Sequence, residues 1–159
     1  MSDDFSYERW GVGGLDPVPP AQRIDLVRRA EATRLTLAKY RARPFSWADR
    51  ATCIHLARHH LRNMGHKPPS IPDFRSALGA QKALMRQGHD DLHDLLDSLL
   101  PRIAPAQMLV GDLALIEGDG PFDSICVSAG GKLLGWHEDD ASGIKPLLAL
   151  TAPLGAWRV

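Results

Sequence analysis

Cys53 has the strongest case for chemistry in this sequence, because it stands where a helix is predicted to begin. Helical periodicity predicts a helix over 52–64, with Thr52 as its N-cap and Asp49 as a second candidate. The field at a helix N-terminus lowers the pKa of a thiol, and its free N–H groups can hold a developing oxyanion. Cys53 is therefore a candidate nucleophile. The alternative is a small buried apolar residue, a role that free cysteines often fill.

A cysteine hydrolase also needs a histidine that accepts and returns the proton of the thiol. His137 is the only histidine after residue 93, and it stands at the end of a predicted strand. We therefore take His137 as the candidate catalytic base. The alternative for His137 is a surface position at a strand end, beside the acidic turn 138–140.

Two groups of histidines have a spacing that could bind a metal ion. They are His55, His59 and the adjacent His60 on one predicted helix, and His89, His93 and Asp97 on another. Neither group is joined by a second cluster at ligand spacing. We therefore expect both groups to lie on solvated helix faces, and we expect no metal and no other cofactor.

Composition excludes several classes of protein. With 159 residues, 44% hydrophobic and 24% charged, the chain fits one globular domain. No apolar run approaches the ~20 residues that span a bilayer, and the acidic N-terminus MSDDFSYERW is unlike a secretory signal. The only two cysteines, Cys53 and Cys126, form no Cys-x-x-Cys pair, so we expect two thiols rather than a disulfide or a zinc site.

The order of the predicted elements indicates an α+β protein, with helices first and an antiparallel sheet second. Residues 1–20 hold GVGGLDPVPP and predict an extended N-terminal arm, and 21–159 predict the domain. Hydrophobic periodicity predicts helices over 21–41, 52–64, 73–87 and 90–100. In the first of these, we expect the apolar stripe Leu26, Ala30, Thr33, Leu37 and Tyr40 to face the core, with Arg23, Arg28, Arg29 and Arg34 on other faces. Strands are predicted over 108–117, 122–129, 132–137, 147–150 and 156–159.

Charge is unevenly distributed, although the formal net charge is zero. Residues 22–67 contain eleven Lys or Arg and three acidic residues, whereas residues 68–159 contain seven basic and twelve acidic residues. Either the two halves complement each other, or the basic half docks on a polyanion or an acidic partner. Because aromatic residues are not interleaved with the basic ones, we do not expect nucleic-acid binding.

Four segments carry a resemblance to a known group of proteins: PFSWADRATC, FRSALGAQKALMRQGHDDL, MLVGDLALIE and IKPLLALTAPLGAWRV. Together they resemble small proteins encoded among phage tail genes, which are similar to NlpC-type cell-wall cysteine peptidases of the papain-like superfamily. The resemblance covers about residues 22–159. It implies a papain-like, NlpC-like fold in which N-terminal helices pack on a small antiparallel β-sheet, with Cys53 at the nucleophile position.

The resemblance also implies that a base histidine should begin the second strand of the sheet. The corresponding stretch is 122–125, Phe-Asp-Ser-Ile, which contains no histidine. Neither an aspartate nor a serine can replace imidazole near neutral pH. Catalysis is therefore expected to be weak or lost.

These observations predict a virion protein of the phage tail tip or baseplate, or of a tail like that of a gene-transfer agent. Such a protein is made in the host cytoplasm, and its partners are tail hub or baseplate proteins and possibly host peptidoglycan. The alternative is an active peptidoglycan cysteine endopeptidase or amidase, with Cys53 as nucleophile, that aids cell-wall penetration. A third class is a cytosolic regulator or tail assembly factor that is absent from the particle.

Overall fold

The computed structural model describes residues 20–118, 120, 122–137, 140–147 and 152–159. Within these residues the chain folds as mixed α+β, with four α-helices that precede a six-stranded sheet. The helices are α1 (Pro20–Tyr40), α2 (Cys53–Asn63), α3 (Ala77–Arg86) and α4 (Leu92–Leu99). The strands are β1 (Arg102–Ile103), β2 (Leu113–Ile116), β3 (Ser124–Ser128), β4 (Leu133–His137), β5 (Asp140–Leu147) and β6 (Gly155–Trp157).

The sheet is antiparallel throughout, in the order β1-β6-β2-β3-β4-β5. Strands β2 to β5 form a meander, and β6 returns to insert between β1 and β2. The register pairs Ala114 of β2 with Cys126 of β3 and with Ala156 of β6. This pairing places β2 and β3 at the centre of the sheet.

The predicted α+β order and all four predicted helices are confirmed. Helix α3 begins later than expected, at Ala77, because Ser76 caps it by accepting a hydrogen bond from the Gly79 N–H at 3.0 Å. The strand predicted over 108–117 begins only at Leu113. Of the predicted arm, residues 1–19 lie outside the described residues, and Pro20 is the first residue of α1.

Most of strand β5 was not predicted from the sequence. We predicted an acidic turn over 138–140, but Asp140 begins an eight-residue strand that ends at Leu147. Pro146 and Gly143 are typical of loops rather than strands, yet β5 is an edge strand, where a missing N–H donor is tolerated. The rest of the strand predicted over 147–150 lies outside the described residues.

The main hydrophobic core lies between the helices and one face of the sheet. On the sheet side it contains alternate residues of the central strands, and on the helix side the inner faces of α2 and α4: Leu113, Leu115, Ile125 and Val127 against Leu56, Leu61, Leu92 and Leu96. A smaller cluster covers the opposite face of the sheet, formed by Ala114, Cys126, Leu133 and Leu147. Alternation along each strand thus assigns its residues to two different cores.

The inner face of α1 differs from the expected apolar stripe. Of that stripe, Thr33 and Tyr40 are buried, whereas Leu26 and Ala30 are exposed. Arg29, which we expected on another face, is buried instead, with only 4% of its surface exposed. The reason is that α1 packs against polar groups at the start of β2, so its inner face is partly polar.

Among the described residues, no helix has the length and apolar character that crossing a bilayer requires. The long helix α1 carries seven charged residues, at positions 23, 25, 28, 29, 31, 34 and 39.

Candidate active site at the start of helix α2

Cys53 is the first residue of α2, as the sequence predicted. The chain reaches it through a tight turn that is closed by an isolated β-bridge between Ser46 and Ala51. Thr52 then adopts an extended conformation (φ −119°, ψ 171°), and the helix begins. The side chain of Thr52 caps no helix N–H; its hydroxyl is 2.9 Å from Nδ1 of His55. The Thr52 side chain therefore accepts no hydrogen bond from the backbone N–H groups at the start of α2.

The Cys53 thiol points into the protein, toward the beginning of β3. Only 6% of the residue is exposed, and it belongs to the main core. Its Sγ lies 3.9 Å from the backbone carbonyl oxygen of Asp123, to which the thiol can donate. The thiol at the head of a helix, packed across from an antiparallel sheet, is the placement that the sequence predicted.

Burial raises the pKa of the Cys53 thiol to about 11. The backbone amides of Ile125, Cys53 and Ile54 act in the opposite direction, and the Asp123 carboxylate adds to the increase by repelling the thiolate. The amides are the group of donors that an oxyanion would need. They do not outweigh burial, so the thiol is protonated at neutral pH.

The start of β3 is where the resemblance places a base histidine. In this structure Asp123 and Ser124 occupy that place, and the group nearest the sulfur is the Asp123 carbonyl. A carbonyl oxygen accepts a hydrogen bond from a thiol but cannot remove its proton at neutral pH. Around the Cys53 sulfur, within the described parts of the chain, the hydrogen-bonding atom belongs to a backbone carbonyl and not to an imidazole.

His137 is exposed at the end of β4. Its strand neighbour Trp136 packs against the main core, and the register of β4 with β5 shifts between these two residues. His137 pairs with Asp140 across this shift. Cys53, in contrast, is enclosed in that core. The role of His137 as a base stays a prediction.

Two of the three histidines of α2 that we expected on a solvated face, His55 and His60, are buried, whereas His59 is partly exposed. His60 is 0% exposed: its Nε2 is 2.7 Å from the Gly111 carbonyl and its Nδ1 is 2.8 Å from the Thr36 hydroxyl. His55 is 7% exposed. Burial is the main cause that lowers the pKa of each to about 4, so both are neutral. The prediction was wrong for these two residues because each imidazole is buried with a polar partner: the Thr52 hydroxyl for His55, and the Thr36 hydroxyl and the Gly111 carbonyl for His60.

The second histidine group is divided: His89 precedes α4 and lies 3.2 Å from an Asp94 oxygen, whereas His93 and Asp97 lie on α4 and contact an arginine. Asp97 pairs with Arg102, and His93 Nδ1 lies 2.7 Å from an Arg102 nitrogen. His93 also packs edge-on against the ring of Trp157. Among the described residues, no group of three or more His, Cys, Asp or Glu side chains is arranged to hold a metal ion.

Cys126 lies on the opposite face of the sheet and is fully buried. Both cysteines are free thiols, as expected. Burial raises the pKa of Cys126 to about 12, with a further contribution from Cys53. Cys126 therefore belongs to the small second core and not to the site at the start of α2.

The sequence analysis missed a buried ion pair between Arg29 and Asp112. Nη1 of Arg29 lies 2.9 Å from Oδ1 of Asp112, whose carboxylate also accepts from Arg158 Nε at 2.9 Å and from the N–H groups of Leu109 and Val159 at 2.8 and 3.0 Å. Through these hydrogen bonds the Asp112 carboxylate connects α1, the start of β2 and the two residues that follow β6. The Gly-Asp pair at the entry to β2, one of the features that carry the resemblance, is thus structural here.

Two comparisons with known proteins bear on this chain. The family model described as a domain of unknown function, DUF6950, matches residues 26–159. Among curated proteins, none matches the chain. The matched range includes all of the sheet and nearly all of the helical layer.

Proposed function

From the premise that the chain belongs to the DUF6950 family, a domain of unknown function, we propose that it is a virion protein of the phage tail tip or baseplate. In this proposal a peptidase-derived, NlpC-like fold serves mainly for docking, and peptidoglycan hydrolysis is weak or absent. The phage context is supported by the resemblance of the four sequence segments described above. The loss of catalysis is supported by the geometry at Cys53.

One observation carries the proposal: the sulfur of Cys53 faces the Asp123 carbonyl at 3.9 Å, where the resembling peptidases carry an imidazole. A thiol becomes a competent nucleophile as a thiolate, which a neighbouring histidine normally provides. Here the pKa of the thiol is about 11, so only about one thiol in ten thousand is ionised at pH 7. The Cys53 thiol therefore lies at the position of a nucleophile but lacks a base that would convert it to the thiolate.

Hydrolysis of purified peptidoglycan tests the catalytic part of the proposal. Wild-type protein and Cys53→Ala are compared by zymography and by turbidity, with a known murein hydrolase as positive control. We expect no clearing that depends on Cys53. Clearing by the wild type that disappears in Cys53→Ala would instead establish the alternative, an active cysteine endopeptidase or amidase.

One observation supports the alternative, an active cysteine endopeptidase or amidase. The backbone amides of Cys53, Ile54 and Ile125 all act on the sulfur, so donors for an oxyanion exist even though the base is missing. A base supplied by a partner protein would complete the site. The peptidoglycan assay is therefore repeated with intact particles, in which tail partners are present.

Particle composition tests the docking part. Immunoblotting of purified particles from the bacterium or phage that encodes the chain should detect the protein in the tail fraction. Its presence in cell extract but not in particles would favour the third class, a cytosolic assembly factor. A variant without residues 1–20 should fold but be lost from particles if the arm is the anchor, and retained incorporation would exclude that anchor.

A further inference from the structure

A cavity of about 220 Å³ lies between the C-terminal end of α1, the turn before Cys53 and one side of α2. We call it the basic pocket; it is lined by Lys39, Tyr40, Arg43, Asp49, Arg50, His55, Arg58, His59, Arg62 and Ile71. Five of these ten residues are Lys or Arg, two are histidines and one is acidic. The elements that form the pocket come from the basic segment 22–67, so the fold concentrates the charge asymmetry of the sequence in one concave place.

The cations of the basic pocket are not neutralised by neighbouring carboxylates. Within the described part of the chain, none of its five Lys and Arg side chains forms an ion pair. Arg43 donates to the Asp49 backbone carbonyl at 2.7 Å, and Arg58 donates to the Pro69 carbonyl at 2.9 Å. These bonds fix the two guanidinium groups and leave their charge uncompensated.

Burial and the neighbouring positive charges lower the pKa of two groups in the pocket, Lys39 and His59. The pKa of Lys39 is lowered by burial first and then by Arg43 and Arg62. Burial also lowers the pKa of His59, and the charges of Lys39 and Arg62 lower it further. Like charges at close range destabilise one another, so they are retained at a cost to stability. An anion in the pocket would remove that cost.

Two polar side-chain atoms at the lining of the basic pocket form no hydrogen bond with the described residues. They are the hydroxyl of Tyr40 and Nε2 of His55, whose Nδ1 faces the Thr52 hydroxyl. The buried unpartnered atoms of the described residues do not include them, so both atoms have surface that a ligand in the pocket can reach. An unused hydroxyl and an unused ring nitrogen beside five cations are what a ligand with oxygen acceptors would engage.

The turn before Cys53 holds one of the cations in an unusual conformation. Arg50 has φ of +56°, in the left-handed region that residues other than glycine rarely adopt. The turn is held by the Ser46–Ala51 bridge and by the bond from Arg43 to the Asp49 carbonyl. Backbone strain of this kind concentrates at binding sites. Here it holds Arg50 at the rim of the basic pocket.

We propose that the basic pocket binds the phosphoryl group of a small phosphorylated molecule. A phosphoryl group carries about −1.5 to −2 charges with three acceptor oxygens, so it compensates more of the five cations, and accepts more hydrogen bonds from them, than one carboxylate with a single charge does. Guanidinium groups also match phosphate geometry through two parallel hydrogen bonds. The volume is below that of sites for drug-sized ligands, about 300–1,000 Å³, and suits a phosphate or pyrophosphate group. This inference is independent of the proposed function.

Isothermal titration calorimetry of the full chain in low-salt buffer tests the proposal, with pyrophosphate, inorganic phosphate and ribose 5-phosphate as probes. We expect one site per chain and weaker binding as salt rises. Arg50→Gln and Arg62→Gln should each weaken pyrophosphate binding about tenfold or more, since each removes a charge-assisted hydrogen bond. The control is Arg86→Gln, which makes the same charge change at an exposed site on α3 and should leave affinity unchanged.

The probes also separate the sources of the phosphoryl group: tighter binding of ribose 5-phosphate than of the inorganic ions indicates an organic phosphate. Several results would overturn the proposal. They are no binding in low salt, equal weakening in Arg86→Gln, succinate binding as tight as pyrophosphate, or an oligonucleotide binding far more tightly than any small phosphate. Circular dichroism of each variant verifies folding, and because the arginines repel one another, their unliganded variants should unfold at the wild-type temperature or above.

Discussion

The sulfur of Cys53 and the backbone carbonyl oxygen of Asp123 lie 3.9 Å apart, joining the first residue of α2 to the residue before β3. This contact binds the thiol in its protonated form, because only a thiol with its hydrogen can donate to a carbonyl. It also puts an aspartate carboxylate near the sulfur, which raises the thiol pKa further. The arrangement keeps the position of a nucleophile and stabilises its inactive form.

The first prediction is that native Cys53 alkylates slowly. A pKa of about 11, two units above an ordinary thiol, lowers the thiolate fraction at pH 8 by about a hundredfold. In a Cys126→Ala variant, which leaves Cys53 as the only thiol, iodoacetamide should therefore react at least about a hundredfold more slowly in buffer than in denaturant. The rate against pH should rise until about pH 11. A rate that levels off below pH 8 would contradict a protonated thiol.

The second prediction concerns the missing base. In Asp123→His an imidazole would replace the carboxylate that repels the thiolate, and a positive partner lowers a thiol pKa by about one to three units. Alkylation of Cys53 at pH 8 should thus become about tenfold faster or more. Asp123→Asn is the matched control, because it removes the same repulsion without supplying a base. Equal rates for the two variants would mean that position 123 does not face the sulfur as a catalytic histidine would.

The placement of Cys53 was predictable because its signals are local. Thr52 occupies the N-cap position, although its side chain caps no helix N–H, and the apolar stripe that follows indicates the helix in the sequence. The central strands were predictable for the same reason, since alternation and turn residues are local patterns. Edge strand β5 was not, because Pro146 and Gly143 are tolerated only through its position at the end of the sheet.

The polar residues that reach into the core could not be predicted from local patterns. Arg29 and His60 look like surface residues in the sequence, and each is buried by a partner more than fifty residues away, Asp112 and the Gly111 carbonyl. Sequence spacing places them on their helices but does not reveal which face of α1 or α2 meets the start of β2. The basic pocket was hidden likewise, because its residues come from two helices and a turn.

The third prediction is that the Arg29–Asp112 pair is essential for stability. Asp112→Ala removes the buried carboxylate partner of the Arg29 guanidinium, which keeps its second ion pair, with the more exposed Asp25. Breaking one side of a buried pair costs about 3–5 kcal/mol, and the retained Asp25 pair places the expected cost at the lower end of that range, about 3 kcal/mol. Urea unfolding followed by circular dichroism measures this change in the free energy of unfolding. The control, Glu31→Gln, removes an exposed acid that pairs with Arg34 and should leave stability nearly unchanged.

A double-mutant cycle distinguishes this pair from simple loss of packing. If the two charges depend on each other, Arg29→Met combined with Asp112→Ala should cost less than the sum of the two single changes. Full additivity would contradict the pairing. The cycle also indicates how much of the stability of α1 comes from the carboxylate that joins it to β2.

The fourth prediction is that stability falls as pH decreases from about 6.5 to 4. The pKa of His55 and of His60 is lowered to about 4 by burial, whereas an unfolded histidine titrates near 6.5. In this window the unfolded chain binds protons that the folded chain does not, so stability is complete above the unfolded pKa and is lost on acidification. Each histidine contributes up to about 1.4 kcal/mol per pH unit to the slope.

Variants of His55 and His60 test whether these two residues cause the change of the free energy of unfolding with pH. His60→Gln retains a donor for the Gly111 carbonyl but cannot be protonated, so its free energy of unfolding, measured in urea at several pH values, should fall less steeply than that of wild type. His55→Gln should remove a similar share of the slope, and the double variant should remove both. If the variants keep the wild-type slope, other groups that bind protons on unfolding must account for it. The buried imidazoles of His55 and His60 would then be protonated in the folded protein as they are in the unfolded chain, which would contradict the prediction.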